Sequence, residues 1–412
     1  MRSAAETSNE RILVVGGGQA GFSLAAKLRA LGHAGPIAIV GEEPHMPYQR
    51  PPLSKAFLLG DLERDRLVFR PGDFFEKQNI ELVLGSPARE LDPKARKIAL
   101  TDGRELAYDV AVLATGAEPR RLPEAMGGSL AGLYYLRTIA DAEALAPALQ
   151  PGRHAVVIGG GYIGLEAAAS AHKHGLTVTL VEATERILQR VAAPETSNYF
   201  RRLHSQKGVQ LLEGVGVSAL IGSGGRLVAV GLSNGAEIPA DLAIVGIGVS
   251  PRTELAASAG LAVENGVMVD EFCRTSDERI FAVGDCASFP HRGMRLRLES
   301  VGHAIDHAER AAEIIMGGDT PYRAKPWFWS DQFHCKLQIA GLNHGYDGVF
   351  VRPGTHNESV SHWYFRGEEL LAVDAMNEPK AFMLGKRMLE AGRLPKPEQV
   401  VDPQMDLKAL LG

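Results

Sequence analysis

The same glycine-rich pattern occurs twice in the chain, and each copy directly follows a short run of β-branched residues. RILVV (11–15) leads into GGGQAG (16–21), and HAVVI (154–158) leads into GGGYIG (159–164). A stretch rich in Ala and Leu follows each copy and predicts a helix, which should end near Gly32 in the first copy and near Gly175 in the second, because glycine commonly terminates helices. A strand, a G-x-G-x-x-G turn and a helix, in this order, are typical of dinucleotide-binding units. The duplication therefore predicts an α/β chain with two such units.

The three glycines of each pattern have different tasks. The first permits a tight turn, the second lets the backbone approach a pyrophosphate, and the third lets the helix pack closely on the strand. The N-terminus of the helix then faces the phosphates. The glycines concerned are Gly16, Gly18 and Gly21 in the first unit and Gly159, Gly161 and Gly164 in the second. Both sets predict a nucleotide site.

An acid ends the second strand of the second unit, where such units bind a ribose 2′-hydroxyl. This acid is Glu182, at the end of TVTLVE (177–182). A carboxylate accepts a hydrogen bond from the ribose of NADH and repels the additional phosphate of NADPH, so we expect NADH to be preferred. Arg186 follows closely and could still reach a phosphate, which keeps NADPH open as the alternative.

The corresponding strand of the first unit ends in two acids. IAIVGEE (37–43) closes with Glu42 and Glu43. We expect Glu42 to accept from the ribose of the first nucleotide. Glu43 stays open as the alternative, because the end of a predicted strand is uncertain by a few residues.

The composition of the chain changes near residue 323, which predicts a third domain. All three tryptophans, Trp327, Trp329 and Trp363, lie beyond this point. KLQIAGL, GVFVRPG and HWYFRG predict short antiparallel strands. KAFMLGKRMLEAG (380–392) predicts a helix.

Charge and composition exclude several classes of protein. The chain has 44 Lys plus Arg against 49 Asp plus Glu, a formal charge of −5, which argues against a nucleic-acid-binding protein. It has no run of about 18 uncharged apolar residues, so we predict no membrane span. The three cysteines, at 273, 286 and 335, lack C-x-x-C spacing. They predict neither a disulfide scaffold nor a zinc site, and they favour a cytoplasmic location.

Two histidines have a spacing that could bind a metal. His303 and His307 stand at i and i+4 on a predicted helix. Because no third ligand lies near them in sequence, we interpret both as residues of a helix face and predict no metal site.

Several longer motifs carry a resemblance to a known family. The motifs are PYQRPPLSK (47–55), LATGAEPR (113–120), IFAVGDCA (280–287), LESVGHAIDHA (298–308) and WFWSDQFHCKLQIAG (327–341). Together with the two glycine patterns, they make the chain similar to the flavin-dependent ferredoxin reductases that serve oxygenases, the group of putidaredoxin reductase and the reductases of aromatic-ring dioxygenases. The resemblance covers essentially residues 11–400.

The resemblance implies a glutathione-reductase fold. This fold is α/β, with two Rossmann-like FAD/NAD(P)-binding domains and a C-terminal α+β interface domain. The implied FAD-binding domain is discontinuous. The expected boundaries are 1–114 and 248–322 for the FAD-binding domain, 115–247 for the NADH-binding domain and 323–412 for the C-terminal domain.

The resemblance also implies which residues bind each cofactor. Asp285, at the end of a predicted strand, matches the acid that binds the ribitol hydroxyls of FAD. Val301 matches a position whose backbone meets the flavin ring. The implied FAD residues are Gly16, Gly18, Gly21, Glu42, Arg50, Lys55, Arg120, Asp285, Val301 and Trp329, and the implied NAD residues are Gly159, Gly161, Gly164 and Glu182.

Three catalytic residues are implied in the same way, namely Lys55, Glu166 and Trp329. Lys55 would place a positive charge beside the flavin, which stabilises the reduced anionic ring. Glu166 would face the junction of nicotinamide and flavin and would pair with the lysine. Two alternatives stay open. Glu166 could be an acid that only stabilises the helix dipole near a helix N-terminus, and Trp329 could be an ordinary core residue.

The function implied is that of an NADH:ferredoxin oxidoreductase. A hydride passes from NADH to FAD, and single electrons pass to a [2Fe–2S] ferredoxin that feeds a haem-thiolate monooxygenase or a ring-hydroxylating dioxygenase. The helix after Gly21 carries no cysteine pair, which excludes thiol–disulfide chemistry there. The alternatives are an NADH oxidase, a rubredoxin reductase or a reductase of a small molecule and, more distantly, a flavoprotein whose redox state regulates binding.

Because such ferredoxins are usually acidic, we expect a basic docking face. Scattered, solvated charge is the alternative. The candidate residues are Arg295, Arg297, Arg310, Lys336, Lys386 and Arg387.

Overall fold

The computed structural model describes residues 8–411. The predicted helices after the two glycine turns and at residues 380–392 are present. The first two of these end before Gly32 and Gly175, both of which have positive φ. The helices are α1 (Gln19–Ala30), α2 (Gly72–Lys77), α3 (Ile139–Leu145), α4 (Tyr162–Lys173), α5 (Pro194–Gln206), α6 (Glu254–Ser258), α7 (Val301–Ile315), α8 (Pro379–Glu390) and α9 (Pro397–Val401). Among residues 8–411, no helix has both the length and the apolar composition that crossing a bilayer requires.

The described chain forms two compact units. The first unit combines the segment that ends at Gln49 with Arg64–Glu118 and Ser250–Pro326. The second unit combines Arg50–Glu63, Pro119–Val249 and the segment that begins at Trp327.

The first unit is built around a sheet of five parallel strands. The strand before the first glycine turn is central, because Ile12 is in register with Ile37 on one side and with Val110 on the other. Its four residues are all buried, as expected for a parallel strand with both faces covered. The strand order reverses direction at this central strand, and open α/β sheets bind their ligands at the carboxyl end of the strands at such a switch point. The strand order is Ile280–Ala282, Val110–Leu113, Ile12–Val15, Ile37–Gly41 and Ile80–Leu84.

The second unit repeats this arrangement around the second glycine turn. Ala155, in the strand before that turn, is in register with Val178 and with Leu242 in the two neighbouring parallel strands. The strand order is Gln210–Glu213, Thr177–Glu182, His154–Ile158, Leu242–Val245 and Leu133–Tyr134. The two sheets confirm the α/β class and the pair of dinucleotide-binding units that the repeated pattern predicts.

Three small sheets and two short strands accompany the two parallel sheets. Two of these sheets contain hairpins at the Asp102-Gly103 and Asn234-Gly235 turns, as such dipeptides predict. The small sheets are Ala88–Asp92 with Lys97–Leu100 and Glu105–Ala107, Val217–Ser223 with Arg226–Leu232 and Glu237–Pro239, and Val267–Met268 with Ala287–His291 and Met294–Leu296. The short strands are Ala117–Pro119 and Val249–Pro251.

The C-terminal part of the second unit contains an antiparallel sheet of five strands. The sequence predicts three of its strands, at KLQIAGL, GVFVRPG and HWYFRG, but not Glu369–Met376, the central one. Seven of the eight residues of this strand are buried, so it lacks the alternation of polar and apolar residues that signals a strand. The strand order is Trp327–Gln332, Cys335–Gly341, Glu369–Met376, Val360–Arg366 and Gly348–Pro353.

A buried polar cluster lies in this part of the second unit, around Asp374. The Asp374 carboxylate accepts hydrogen bonds from the hydroxyls of Thr196, at 2.8 Å, and Tyr364. Thr196 also bonds Nδ1 of His362 at 2.7 Å. Burial raises the pKa of Asp374 to about 6, although the two hydroxyls act in the opposite direction.

This raised pKa predicts a pH-dependent stability. The folded chain holds the Asp374 proton up to a pH of about 6, so the contribution of this group to stability is lost as the pH rises from about 4 through 6. Relative to Asp374→Asn, the wild-type chain should lose on the order of 2 kcal/mol of unfolding free energy between pH 4.5 and pH 7. Urea unfolding of both chains at the two pH values measures this. A difference between the chains that does not change with pH would contradict it.

Candidate functional site

The first glycine turn leads into α1 and needs glycine at two of its three positions for the fold itself. Gly16 has a φ of 118°, and a Cβ on it would lie 2.1 Å from the carbonyl oxygen of Ala114. A Cβ on Gly21 would lie 2.0 Å from the carbonyl oxygen of Gly16. Gly18 differs, because a Cβ there would meet no protein atom within 4 Å. The space beside Gly18 is therefore open.

The second glycine turn shows the same division of tasks. Gly159 has a φ of 107°, and a Cβ on it would lie 2.4 Å from the carbonyl oxygen of Gly246. A Cβ on Gly164 would lie 2.0 Å from the carbonyl oxygen of Gly159, so α4 can pack on its strand only without a side chain there. A Cβ on Gly161 would again meet no protein atom within 4 Å.

The two open glycines are also the N-cap residues of their helices. Within residues 8–411, no side chain accepts a hydrogen bond at the N-cap of α1 or α4. The first N–H groups of both helices are therefore available to a ligand. A pyrophosphate fits such a site, since the N–H groups and the helix dipole both attract its negative charge. The two turns thus fit a dinucleotide each.

Glu182 lies where the sequence predicts the ribose acid, and its carboxylate also holds the glycine turn. One oxygen accepts from the N–H of Gly160 at 2.6 Å, and the other accepts from the N–H and the hydroxyl of Thr184, both at 2.7 Å. A carboxylate has about four acceptor positions, so one is left for a ribose hydroxyl. The alternative contact, Arg186, instead donates to the hydroxyl of Ser197 at 2.5 Å.

The two candidate acids of the first unit have different partners. Glu42 forms an ion pair with the guanidinium of Arg252, and its side chain is half exposed. Glu43 accepts from the hydroxyl of Tyr48 at 2.6 Å. Arg252 was not a predicted site residue. The signal was present, because Pro251-Arg252 repeats Pro119-Arg120 in the duplicated part of the sequence.

The fold brings Asp285 next to the first glycine turn, although the two are far apart in sequence. Asp285 lies in the turn Gly284–Cys286, directly after the strand Ile280–Ala282. A Cβ on Gly284 would lie 2.9 Å from the Cβ of Ala20 in α1. Asp285 therefore directly follows a residue that packs against the start of α1.

The other implied FAD residues occupy distinct places in their own units. Val301 is the first residue of α7, in the first unit. In the second unit, Arg50 donates to the carbonyl oxygen of Arg137 at 2.7 Å. The backbone N–H of Arg120 donates to the carbonyl oxygen of Gly248 at 3.0 Å, and its side chain is exposed.

Lys55 and Glu166 form a close ion pair in the second unit. The ammonium of Lys55 lies 2.6 Å from Oε2 of Glu166, and the two side chains are 18% and 1% exposed. Glu166 lies in the first turns of α4, and the other buried residues of that helix are Leu, Ala, Gly or Ser. A carboxylate in such surroundings is retained only with hydrogen-bond donors on its oxygens. The pairing that the resemblance implies is therefore present in the structure.

Two serines that the sequence did not identify complete the surroundings of Glu166. The hydroxyl of Ser54 donates to Oε2 at 2.7 Å, and the hydroxyl of Ser330 donates to Oε1 at 2.7 Å. Lys55 is further held by the carbonyl oxygen of Pro51, at 3.4 Å. Neither serine had a signal of its own, apart from lying inside motifs shared with the family.

Trp329 lies in the strand Trp327–Gln332 and is half buried. Its ring stacks on that of Trp327, with centroids 5.5 Å apart and planes 21° apart. Phe328 points to the other face of the strand, where its ring lies 4.8 Å from that of Tyr162 in α4. Trp329 is therefore on the face opposite to the one that contacts α4.

The two spaced histidines are core residues. His303 bonds the hydroxyl of Tyr322 through Nδ1 at 2.8 Å, and its ring lies 4.8 Å from that of His307. Burial lowers the pKa of His303 to about 4 and that of His307 well below its ordinary value. Both rings are buried, so they do not lie on an exposed helix face. No group of three metal-ligating side chains occurs within residues 8–411.

The described chain has three cysteines, Cys273, Cys286 and Cys335, and all three are buried free thiols. Burial raises the pKa of each thiol, to about 12 for Cys335. A thiol with a raised pKa is a poor nucleophile and a poor redox partner.

Models of two protein families match nearly the whole chain. The pyridine nucleotide-disulphide oxidoreductase model matches residues 10–308. The reductase C-terminal model matches residues 327–411. The first match covers both glycine turns and Glu166, and the second covers Trp329 and Ser330.

Curated relatives are similar over almost their full length. Rhodocoxin reductase of Rhodococcus erythropolis is 44% identical over 399 residues, which cover 96% of this chain and 93% of the relative. A ferredoxin–NAD(P)+ reductase of a Sphingomonas species is 42% identical, with 96% of each chain covered.

A solved structure shows the same fold. The crystal structure of the covalent putidaredoxin reductase–putidaredoxin complex matches this chain with a TM-score of 0.94 and 40% identity, and 98% of each chain is covered. These matches confirm the predicted fold and the resemblance to ferredoxin reductases. Proteins of this family use FAD and NAD(P)H.

Proposed function

We propose that this chain, which belongs to the pyridine nucleotide-disulphide oxidoreductase family, is an NADH:ferredoxin oxidoreductase. Its acceptor is a [2Fe–2S] ferredoxin that feeds a haem-thiolate monooxygenase or a ring-hydroxylating dioxygenase. The observation that carries the proposal is the buried Lys55–Glu166 pair, in a chain with two open dinucleotide turns and with free, buried cysteines. A disulfide reductase of this fold needs a reactive pair of cysteines, so here electrons pass to the acceptor without a thiol relay.

The cofactors and the chain have separate tasks. The chemistry that FAD supplies when bound is the conversion of a two-electron hydride donor into a source of single electrons. The chain binds and orients both nucleotides. FAD is assigned to Gly16, Gly18, Gly21, Glu42, Arg50, Lys55, Arg120, Asp285, Val301 and Trp329, and NADH is assigned to Gly159, Gly161, Gly164 and Glu182.

Lys55, Glu166 and Trp329 are the proposed catalytic residues. The ammonium of Lys55 favours negative charge in its surroundings, as a reduced flavin requires. Glu166 keeps that ammonium in place at 2.6 Å. The half-buried ring of Trp329 offers a flat surface to the flavin.

NADH is the proposed donor, and two observations support this preference over NADPH. The carboxylate of Glu182 has one acceptor position left for a ribose hydroxyl and would repel a 2′-phosphate. Arg186, the residue that could compensate a phosphate, is bonded to Ser197.

The proposed domain boundaries are 1–114 with 248–322 for FAD, 115–247 for NADH and 323–412 for the C-terminal domain. A cytoplasmic location is proposed as well. It is supported by the three free, buried thiols, which suit a reducing compartment.

Stopped-flow measurements test the function directly. The yellow protein is mixed anaerobically with NADH or NADPH, and the flavin absorbance is followed. Cytochrome c reduction is then measured with a panel of [2Fe–2S] ferredoxins, with rubredoxin and without a carrier. We expect fast bleaching by NADH and ferredoxin-dependent cytochrome c reduction. Rapid NADH consumption with dioxygen alone would favour an oxidase. Cytochrome c reduction only in the presence of rubredoxin would favour a rubredoxin reductase. Very slow turnover with a change of oligomeric state would favour a regulatory flavoprotein.

The candidate docking residues differ in their exposure and in the hydrogen bonds and ion pairs that they form within the protein. Arg295 donates to the carbonyl oxygen of Val269 at 2.9 Å. Arg297 is 9% exposed and pairs with Glu299 at 2.7 Å. Arg310 is more accessible and pairs with Glu313 on the surface of α7.

Charge reversal at Arg310 is therefore the informative docking test. Arg310→Glu should raise the KM for an acidic ferredoxin, because it places a negative charge where a positive one is expected to attract the partner. Reduction of ferricyanide, a small acceptor, should not change. If both activities fell together, Arg310 would have a role other than docking.

A further inference from the structure

A series of buried polar side chains begins at Oε1 of Glu166, the carboxylate oxygen that does not contact Lys55. We propose that Ser330 and Gln332 are positioning residues, which hold the Glu166 carboxylate in the orientation that binds Lys55. The inference rests on the proposed function, in which Lys55 and Glu166 are catalytic residues. It concerns two residues of the strand Trp327–Gln332 and one residue, His204, of α5.

The contacts form a continuous series. Ser330 Oγ lies 2.7 Å from Glu166 Oε1, and Gln332 Nε2 lies 3.1 Å from Ser330 Oγ. His204 Nε2 lies 2.9 Å from Gln332 Oε1. Ser330 and Gln332 are two residues apart in one strand, so both side chains project to the same face.

The direction of every hydrogen bond in the series is determined by its members. An ionised Glu166 can only accept, so the hydroxyl of Ser330 must donate to it. The amide nitrogen of Gln332 can only donate, so it donates to Ser330 Oγ. The amide oxygen of Gln332 can only accept, so His204 carries its proton on Nε2. All three bonds therefore point toward the carboxylate, an arrangement in which each bond strengthens the next.

His204 is suited to be the fixed end of this series. It is fully buried, and its Nδ1 has no hydrogen-bond partner within residues 8–411. Burial lowers the pKa of His204 to about 4, so the ring is neutral at physiological pH and carries a single proton. With that proton on Nε2, the ring has one donor, and Gln332 receives it.

The two carboxylate oxygens of Glu166 thus accept hydrogen bonds from different parts of the chain. Oε2 accepts from Lys55 and Ser54, and Oε1 accepts from Ser330. Without Ser330, Oε1 would be a buried acceptor with no donor, and the carboxylate would be free to turn away from Lys55. Ser330 and Gln332 are both 0% exposed, so water could not replace either donor without rearrangement.

Ser361 provides a matched control. It is a serine of the same antiparallel sheet, is also 0% exposed, and has one side-chain partner, the Nε1 of Trp363 at 3.0 Å. Ser361→Ala therefore removes an equally buried hydroxyl without contact to Glu166. Gln332→Met keeps the length of the side chain but removes both hydrogen-bonding groups, and Ser330→Thr retains the hydroxyl.

The first experiment is stopped-flow reduction of the FAD-loaded variants by NADH. We expect Ser330→Ala to lower the limiting rate roughly tenfold, as the loss of a hydrogen bond to a charged group predicts. Gln332→Met should lower it by a smaller factor, because the hydrogen bond it loses goes to the neutral hydroxyl of Ser330. The dissociation constant for NADH should change less than twofold. Ser330→Thr should recover most of the rate, and Ser361→Ala should resemble the wild type. Equal effects of Ser330→Ala and Ser361→Ala, or a rise in the dissociation constant at an unchanged limiting rate, would overturn the proposal.

A second experiment does not depend on activity. The urea midpoint of unfolding is measured for Ser330→Ala in the wild-type background and in Glu166→Ala. We expect Ser330→Ala to lower the midpoint clearly in the first background and much less in the second, because its partner is then gone. Equal shifts in both backgrounds would overturn the positioning role. If NADH fails to reduce even the wild-type protein, the proposed function is wrong. The comparison of urea midpoints in the two backgrounds would still show whether Ser330 holds Glu166.

Discussion

The Gly164→Ala variant should reduce its flavin with NADH at least about a hundredfold more slowly than the wild type, because small displacements of a bound reactant have effects of this size. The added Cβ would lie 2.0 Å from the carbonyl oxygen of Gly159, so α4 must move away from the strand before it. The N-terminus of α4, which is proposed to bind the pyrophosphate, then moves too. Stopped-flow reduction over a range of NADH concentrations measures both the limiting rate and the affinity.

Gly161→Ala is the matched control for this prediction. Its Cβ would meet no protein atom within 4 Å, so the unfolding midpoint should stay close to that of the wild type. The NADH dissociation constant should nevertheless rise, since the methyl group enters the space assigned to the pyrophosphate. Wild-type NADH affinity in Gly161→Ala would show that the nucleotide does not bind at this turn. Wild-type stability and rate in Gly164→Ala would refute the close packing of α4 on its strand.

Lys55→Met is expected to lower the free energy of unfolding by on the order of 3 kcal/mol, the usual cost of leaving a buried charge without its partner. The Glu166 carboxylate is 1% exposed and would retain only the two serine hydroxyls as donors. The rate of flavin reduction at saturating NADH should also fall, because the positive charge proposed to stabilise the reduced flavin is lost. Urea unfolding and stopped-flow absorbance measure the two effects on one preparation.

Lys97→Met serves as the control for the loss of an ion pair as such. Lys97 lies 2.8 Å from Glu105, but both side chains are about half exposed, and water replaces the lost contact. Its removal should change neither stability nor rate measurably. Equal losses of stability in Lys55→Met and Lys97→Met would contradict the idea that burial makes the first pair important.

The double variant Lys55→Met, Glu166→Leu separates stability from function. Replacing a buried ion pair by apolar side chains of similar volume often restores stability. The double variant should therefore unfold near the wild-type midpoint while its flavin reduction stays slow. Recovery of the rate along with the stability would mean that the pair has only a structural role.

Features with a local physical cause could be predicted from the amino-acid sequence. A glycine turn between a strand and a helix depends on neighbours within a few residues, so both dinucleotide turns, the ends of α1 and α4 and the position of Glu182 were predicted correctly. The hairpins at Asp102-Gly103 and Asn234-Gly235 also have a local cause, because these dipeptides favour the tight turns that join two strands. The strand Glu369–Met376 was missed, because a strand buried on both faces loses the alternation that marks a strand in sequence.

Contacts between residues that are distant in sequence depend on how the chain folds. Glu166 receives its donors from Ser54 and from Ser330, on two segments far from it in the chain, and Arg252 reaches Glu42 in the same way. A serine is compatible with many solvated positions, so its residue type carries no sign of such a partner, and the repeated Pro-Arg pair marks Arg252 without naming Glu42 as its partner. Burial is what makes the contacts of Glu166 necessary, since a carboxylate removed from water must find its donors within the protein. Which segments pack around it is a property of the fold, and no pattern in the sequence expresses it.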